Sequence, residues 1–282
     1  MNIHLFSFIR NEAYLLRKWI PYHASIIDLE NIHIIDHKSD DKKCISLLNK
    51  FENRGLDVIR TSKSFKLKYK LLTELMHKHK SDAEILIPLD ADEFLCLSDK
   101  GNSINADPAA IKKHLKTLPV NGKKYAFHVY EAVLDQIDYE DPLLEMNVFE
   151  HFPASETASG PNQQTKTFFP AKNFGYTDQG NHLGGVILAP NDEYNTSKMA
   201  IAHYHLRGFS HFIKKLKKAA DAYQLEDLPP DYVGTGMTWN RWYHQTKNLN
   251  PEEMKAWFAK NFVKKGIDEK QTALSETLKT LN

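Results

Sequence analysis

Asp90 and Asp92 are two carboxylates separated by one alanine, and they end the apolar run Ile85-Leu86-Ile87-Pro88-Leu89. In extended chain, residues i and i+2 point the same way. Two like charges held that close beside a buried strand are costly unless something neutralises them. A divalent cation lowers that cost and can bridge to a diphosphate, where it stabilises the charge that develops as a nucleoside diphosphate leaves. A solvated acidic turn is the plain alternative. The strand in front, and Glu93-Phe94 behind, favour a metal on Asp90 and Asp92.

Two other segments carry usable chemistry. In His203-Tyr204-His205 a strand would set both imidazoles on one side, and a neutral imidazole can complete a carboxylate-rich metal sphere. Two hydrogen-bonded histidines are the alternative. Arg207, just beyond, could grip a phosphate or sit in a structural ion pair. The loop Asp178-Gln179-Gly180-Asn181-His182 holds an acid and an imidazole. Any reaction in which a hydroxyl attacks would need a base for its proton. The candidates are His182 first, then Asp178, then Glu93, with Glu131 also in reach of the idea. Hydrogen bonding that merely stabilises the loop is the alternative for His182.

These residues need elements to position them. Ile3–Ile9 reads as a buried strand, with Asn11 as the N-cap of a helix that Pro21 kinks. Asn31–Asp36 is a second strand, residues 40–52 a helix, Leu56–Arg60 a third strand and Leu67–Lys80 a helix. Glu84–Leu89 is the fourth strand. Strand and helix alternate, which predicts an α/β fold with a mainly parallel central sheet flanked by helices. Ligands in such sheets sit beyond the carboxyl ends of the strands. Three of those ends are polar: Arg10-Asn11-Glu12, Asp36-His37-Lys38-Ser39-Asp40 and Asp90-Ala91-Asp92-Glu93. No phosphate-binding glycine loop occurs, so phosphates need another partner, and a carboxylate-held metal is the natural one.

The second half is less regular. Lys124–Val133, Val186–Leu188 and Met199–Ala202 read as strands, residues 150–181 as long loops, Phe209–Tyr223 as an amphipathic basic helix and residues 251–281 as two helices. The lysines 214, 215, 217 and 218 read as a solvated face, or as a surface for a diphosphate or an anionic headgroup. Trp239, Trp242 and Tyr243 could pack in a core or stack on a sugar.

With 37 basic and 36 acidic residues among 282, the formal charge is +1. That balance argues against a bulk nucleic-acid binder. The run at residues 3–9 has no basic leader before it, and no stretch approaches the ~18 apolar residues of a membrane span. Cys44 and Cys96 read as buried thiols in a reducing compartment. The expected setting is cytoplasmic, with at most peripheral contact at the inner membrane face.

Phe8-Ile9-Arg10-Asn11-Glu12-Ala13, Trp19-Ile20-Pro21-Tyr22-His23, Ile34 to Asp41 and Leu89-Asp90-Ala91-Asp92-Glu93-Phe94 together resemble glycosyltransferases of the family 2-like and family 92-like groups, which have a GT-A fold. The resemblance covers roughly residues 3–100. It returns at Gly180-Asn181-His182 and His203-Tyr204-His205-Leu206-Arg207. A glycine common after the Tyr-His pair is absent here, where Ser25-Ile26-Ile27-Asp28 stands. The resemblance implies a nucleotide-sugar donor, a UDP-sugar foremost, and a divalent metal, Mn or Mg. It implies transfer, by inversion, to a hydroxyl of a glycan or lipid-linked acceptor, in bacterial surface polysaccharide or lipopolysaccharide synthesis. It also implies that Asp90 and Asp92 bind metal and diphosphate, and that His203 is the metal-binding histidine. By the same resemblance Asp36 contacts the base or ribose, with a cap on the following turn as its alternative. Arg10 and Glu12 line the nucleotide pocket, with a local ion pair and a helix-dipole role as their alternatives. Residues 1–100 would be the nucleotide-sugar half of the domain, 101–208 the acceptor half and 209–282 a helical C-terminal extension.

Overall fold

The computed structural model describes residues 1–99, 102–154, 166–265 and 270–281. In chain order it contains β1 (Ile3–Ile9), α1 (Ala13–Ile26), β2 (Ile32–His37), α2 (Lys42–Glu52), β3 (Asp57–Thr61), α3 (Lys68–His79), β4 (Ile85–Pro88), β5 (Glu93–Ser98), β6 (Ile104–Asn105) and α4 (Pro108–Leu115). Then come β7 (Lys124–Ala126), β8 (His128–Ala132), α5 (Pro142–Glu145), β9 (Phe149–Phe152), β10 (Thr167–Pro170), β11 (Phe174–Tyr176), β12 (Gly185–Val186), β13 (Tyr194–Asn195) and β14 (Met199–His203). The chain ends in α6 (Phe209–Tyr223), α7 (Met237–Thr246), α8 (Pro251–Phe262) and α9 (Ala273–Thr280). The fold is mixed α/β with a mostly parallel central sheet and a helical C-terminal part, as expected.

Every residue of β1, β2 and β4 is buried. Strands buried on both faces belong in the middle of a parallel sheet covered by helices. The seven-stranded sheet runs β13-β7-β10-β4-β1-β2-β3. β1 pairs in parallel with β2 and β4, and β2 with β3. β10 is antiparallel to β4 and to β7. Ile9 is level with Asp36 across the sheet, so the polar segments after β1 and β2 leave it side by side. On one face Phe6, Phe8 and Ile35 pack with Leu72, Leu75 and Met76 of α3.

A second sheet, β6-β5-β14-β8-β9, begins immediately after the acidic segment. β5 is antiparallel to β14, and β14 is parallel to β8. The single strand expected over residues 124–133 is two strands, β7 and β8, which go to different sheets. Ile187 and Leu188 lie outside β12 and are exposed, so the strand expected there is only Gly185–Val186. Of the loop expected over 150–181, residues 155–165 fall outside the described residues; the rest contains β9, β10 and β11.

The Trp-Ile-Pro-Tyr-His segment has a structural role that its spacing did not reveal. α1 runs from Ala13 to Ile26 with Pro21 inside it. Its buried face donates from Trp19 Nε1 to the Glu93 carbonyl at 2.8 Å and from the Tyr22 hydroxyl to the Leu95 carbonyl at 2.6 Å. His23 Nε2 accepts from the Leu95 amide at 3.2 Å, which leaves Nδ1–H to donate to the Trp19 carbonyl at 2.9 Å. Three side chains of one helix therefore anchor the first residues of β5. Burial pushes the His23 pKa down to about 3, against the weaker effect of its bond to Trp19. The unfolded chain takes up this proton near pH 6.5 while the folded chain does not. Stability is therefore complete above that pH and is lost as pH falls toward 3, at about 1.4 kcal/mol per pH unit for this group. Urea unfolding at pH 7 and pH 5 should give a steeper loss in the wild type than in His23→Gln.

Two compact units are present. The first comprises Met1–Glu131, Glu150–His203 and Thr272–Asn282; the second comprises Ala132–Phe149 and Tyr204–Gln271. In the second, Phe212 of α6 packs against Trp242, Trp257, Phe258 and Phe262, so the aromatic cluster there serves at least in part as core. Lys214, Lys217 and Lys218 form an exposed face of α6. Cys44 and Cys96 are buried and free. Among the described residues no helix is long and apolar enough to cross a membrane.

Candidate active site

β4 ends in a tight turn. The Glu93 amide donates to the Asp90 carbonyl at 3.0 Å, and the Asp90 amide donates to Glu93 Oε2 at 2.8 Å. Asp90 and Glu93 thus close the turn on each other, and Asp92 stands at its outer corner with its side chain 15% exposed.

The charge on Asp90 is met by two lysines. Lys68 Nζ, at the start of α3, lies 2.6 Å from Oδ1, and Lys166 Nζ lies 3.1 Å from Oδ2. Burial alone would raise the Asp90 pKa, but Lys166 and then Lys68 overcome it and hold the carboxyl well below the usual range. Lys166 also lies 2.8 Å from Glu93 Oε1, a charge contact rather than a well-aimed hydrogen bond, and donates to the Gly180 carbonyl at 2.7 Å. This lysine ties the acidic turn to the Asp178–His182 loop. Burial opposes its charge, but Asp90 and Glu93 prevail and push its pKa up.

Glu93 is fully buried, and burial raises its pKa despite Lys166. Its carboxylate holds the turn and the lysine, which corrects the expectation that it could take a proton from an acceptor: no part of it reaches the surface. His203 is its register partner on β14, and Glu131 is the partner of His203 on β8, so the three side chains form a row. His203 Nδ1 is 2.7 Å from Glu131 Oε2, and Nε2 is 3.7 Å from Asp92 Oδ1. Burial would lower the His203 pKa, but Glu131, then Asp92 and Glu93, raise it to about 9. β14 stops at His203, so His205 lies beyond the strand expected to carry both imidazoles. The His205 ring packs on Trp239, with centroids 5.6 Å apart.

The 178–182 loop is built from the inside. Asn181 takes a left-handed conformation (φ 59°), and its buried side chain accepts from Thr177 Oγ1 at 3.1 Å. Lys124 donates to the carbonyls of Leu183 and Gly184, both at 2.9 Å. Asp178 Oδ1 accepts from the Leu183 amide at 3.1 Å, so Asp178 closes this loop. The half-buried His182 imidazole lies over Gly180, where a Cβ would come within 2.4 Å of its Cδ2.

The remaining expected residues divide. Asp36 Oδ1 accepts from the Ser39 amide at 3.2 Å and so holds the turn after β2. Glu12, not Asn11, occupies the N-cap position of α1. Asn11 is left-handed (φ 56°), and its Oδ1 accepts from the amides of Asp40 and Asp41, which binds the loops after β1 and β2 together. Arg10 is exposed at the end of β1 and lowers the His37 pKa through its charge, though burial is the larger cause there. Arg207 belongs to the second unit, where its Nη2 donates to His211 Nε2 at 2.7 Å.

Sequence reasoning missed Lys68 and Lys166. Each had one signal. Lys68 opens a helix on the carboxyl side of β3. Lys166 precedes an apolar run whose register, Phe169 with Leu86, continues to put it opposite Leu89, one residue before Asp90.

No protein-family model matches the chain, and no curated protein does. Among solved structures it is similar to residues 1-349 of S. aureus TarS in complex with UDP-GlcNAc (10% identity, 92% of this chain and 79% of that one, TM-score 0.40). It is also similar to the galactosyltransferase LgtC in complex with donor and acceptor sugar analogs (14% identity, 61% and 58%, TM-score 0.30). A third is a cytidylyltransferase from Leptospira borgpetersenii (13% identity, 45% and 54%, TM-score 0.29). At these scores the likeness carries no chemistry.

Proposed function

We propose that this chain is a metal-dependent glycosyltransferase of GT-A type. It would take a nucleotide sugar, a UDP-sugar foremost, and pass the sugar to a hydroxyl of a glycan or lipid-linked acceptor. The observation that carries the reading is His203 Nε2 facing Asp92 Oδ1 at 3.7 Å, at the carboxyl end of a parallel strand.

The donor set fits a divalent cation. The four acids Asp90, Asp92, Glu93 and Glu131 outnumber the two lysines Lys68 and Lys166, so the cluster has room for further positive charge. Without a cation His203 takes up a proton between Glu131 and Asp92. The Nδ1 bond to Glu131 is also what a metal-binding imidazole uses to fix its ring and present Nε2. Asp92 and His203 would hold the ion, and Asp90 stays with its lysines. A bound cation supplies positive charge where the nucleoside diphosphate departs.

The chain's own residues would do the rest. Asp36, Arg10 and Glu12 lie at the neighbouring strand ends and would line the nucleotide pocket. His182 is preferred as base for the acceptor hydroxyl, with Asp178 orienting its loop. Lys166 keeps that loop in register with the acidic turn. Inversion at the anomeric carbon and a surface-polysaccharide or lipopolysaccharide acceptor follow from the family resemblance, and the exposed lysines of α6 would supply any peripheral contact with the inner membrane face.

Incubation with Mn and a panel of nucleotide sugars tests the reading. Release of a nucleoside diphosphate supports it, release of pyrophosphate identifies a nucleotidyltransferase, and no turnover with any donor counts against both. The base assignment has its own test. The nearest atoms that a Cβ at Gly180 would meet all belong to the His182 ring, so Gly180→Ala should displace that imidazole and lower kcat by about 10²-fold, the scale of one general base. Stability by urea unfolding should stay nearly unchanged. An unaltered kcat would remove His182 from the mechanism.

A further inference from the structure

The amino end of the central sheet, opposite the acidic turn, holds a second polar cluster. His4 near the start of β1, His33 near the start of β2 and Asp57 at the start of β3 lie under His79, the last residue of α3. His4 and His33 are almost wholly buried, at 4% and 2% exposure. His33 Nδ1 lies 2.7 Å from Asp57 Oδ2, and so carries the proton. Its Nε2 must then accept, and His4 Nδ1 donates to it at 2.8 Å. Asn2 Nδ2 completes the chain by donating to His4 Nε2 at 3.2 Å. His79 Nε2 is buried, makes no hydrogen bond and stands 3.7 Å from Asp57 Oδ2. One nitrogen from each of the three rings lies within 4.8 Å of the others.

Apolar side chains would fill this end of the core at lower cost than three imidazoles. The neighbouring positions Phe6, Phe8, Leu75 and Met76 do so on the same face. We propose that His4, His33 and His79 form a binding site for a late first-row divalent cation of the zinc class, with Asp57 as the outer partner that fixes the His33 ring. Neutral imidazoles select zinc, cobalt, nickel or copper over magnesium and manganese. The carboxylate-rich Asp92 site has the opposite preference, so the two sites would sort metals by ligand chemistry. Asp57 and Asp82 supply negative charge beside the rings, and Lys78 opposes them.

The present arrangement holds a proton where the cation would go. Nitrogen ligands at ~2.0–2.1 Å from a tetrahedral zinc stand ~3.4 Å apart. The His4–His33 contact must therefore open by roughly half an ångström. The His4 proton must move from Nδ1 to Nε2, and the Asn2 side chain, which now donates both there and to the Asp82 carbonyl, must draw back from that nitrogen. A bound ion would tie β1, β2 and α3 together and raise the unfolding midpoint by mass action.

Cobalt(II) chloride is the spectroscopic probe, used on the full-length Asp92→Asn protein, which lacks the carboxylate facing His203, and the share of the signal that a His79 substitution removes in that background reports this site. The expected result is one equivalent of cobalt with the visible absorption of a four-coordinate ion, displaced by zinc chloride. Affinity should fall at least tenfold in His79→Ala. His79 is the most exposed of the three, so this variant should fold, with a cooperative melt as the check. His79→Gln serves if it does not. Absence of that absorption at millimolar cobalt in the Asp92→Asn protein would overturn the proposal, and so would cobalt binding unchanged by the His79 substitution. Neither outcome depends on glycosyl transfer, so failure here leaves the proposed function standing.

Discussion

Lys166→Met is expected to destabilise the protein by about 3–5 kcal/mol, the scale seen when one partner of a buried ion pair is removed. The ammonium group is the common neighbour of Asp90, Glu93 and the Gly180 carbonyl, at 3.1, 2.8 and 2.7 Å. Methionine has about the same volume and no charge. The change would leave a fully buried Glu93 and a mostly buried Asp90 with Lys68 as the remaining lysine, and would cut the tie to the Asp178–His182 loop. Urea unfolding at pH 7 measures the loss. A loss below about 1 kcal/mol would mean that the pair is solvated and that Lys166 does not hold the site together.

Asp92→Asn is expected to act in the opposite way, with a large effect on turnover and a small one on stability. Asp92 stands at the outer corner of the turn, 15% exposed, facing His203 Nε2. Losing one preorganised charge at a developing diphosphate costs about 10²–10³-fold. Loss of Mn-dependent UDP binding should accompany it, while the urea midpoint stays near that of the wild type. Glu131→Gln should weaken Mn binding about 10–100-fold, since Glu131 acts on the ion only through the His203 ring. Full activity in Asp92→Asn would place the chemistry elsewhere.

Much of the first hundred residues was legible because local signals agreed with one another. Buried runs alternate with helical spacing, and their polar ends mark the side where ligands bind. Asp90, Asp92 and His203 could be nominated because acidic pairs and histidines are conspicuous. What compensates them could not. Lys68 and Lys166 are common residues at unremarkable positions, and only the pairing of β10 with β4 puts Lys166 beside Asp90. The same limit applies to Glu93, which reads as a reactive acid in sequence and is consumed by its own turn in three dimensions. Trp19, Tyr22 and His23 read as a family signature, and the fold gives them a mechanical task, since they carry the first residues of β5. The amphipathic pattern over Phe209–Tyr223 marks a helix, and α6 spans those residues. Short strands such as β11 to β13 have too few residues to show a period.

Manganese anomalous scattering from crystals grown with Mn2+ and UDP would locate the ion directly. The expected peak lies within coordination distance of Asp92 Oδ1 and His203 Nε2, with Asp90 still bonded to Lys68 and Lys166. A peak on Asp90 with its lysines displaced, or no peak at the turn while UDP is bound, would contradict the assignment.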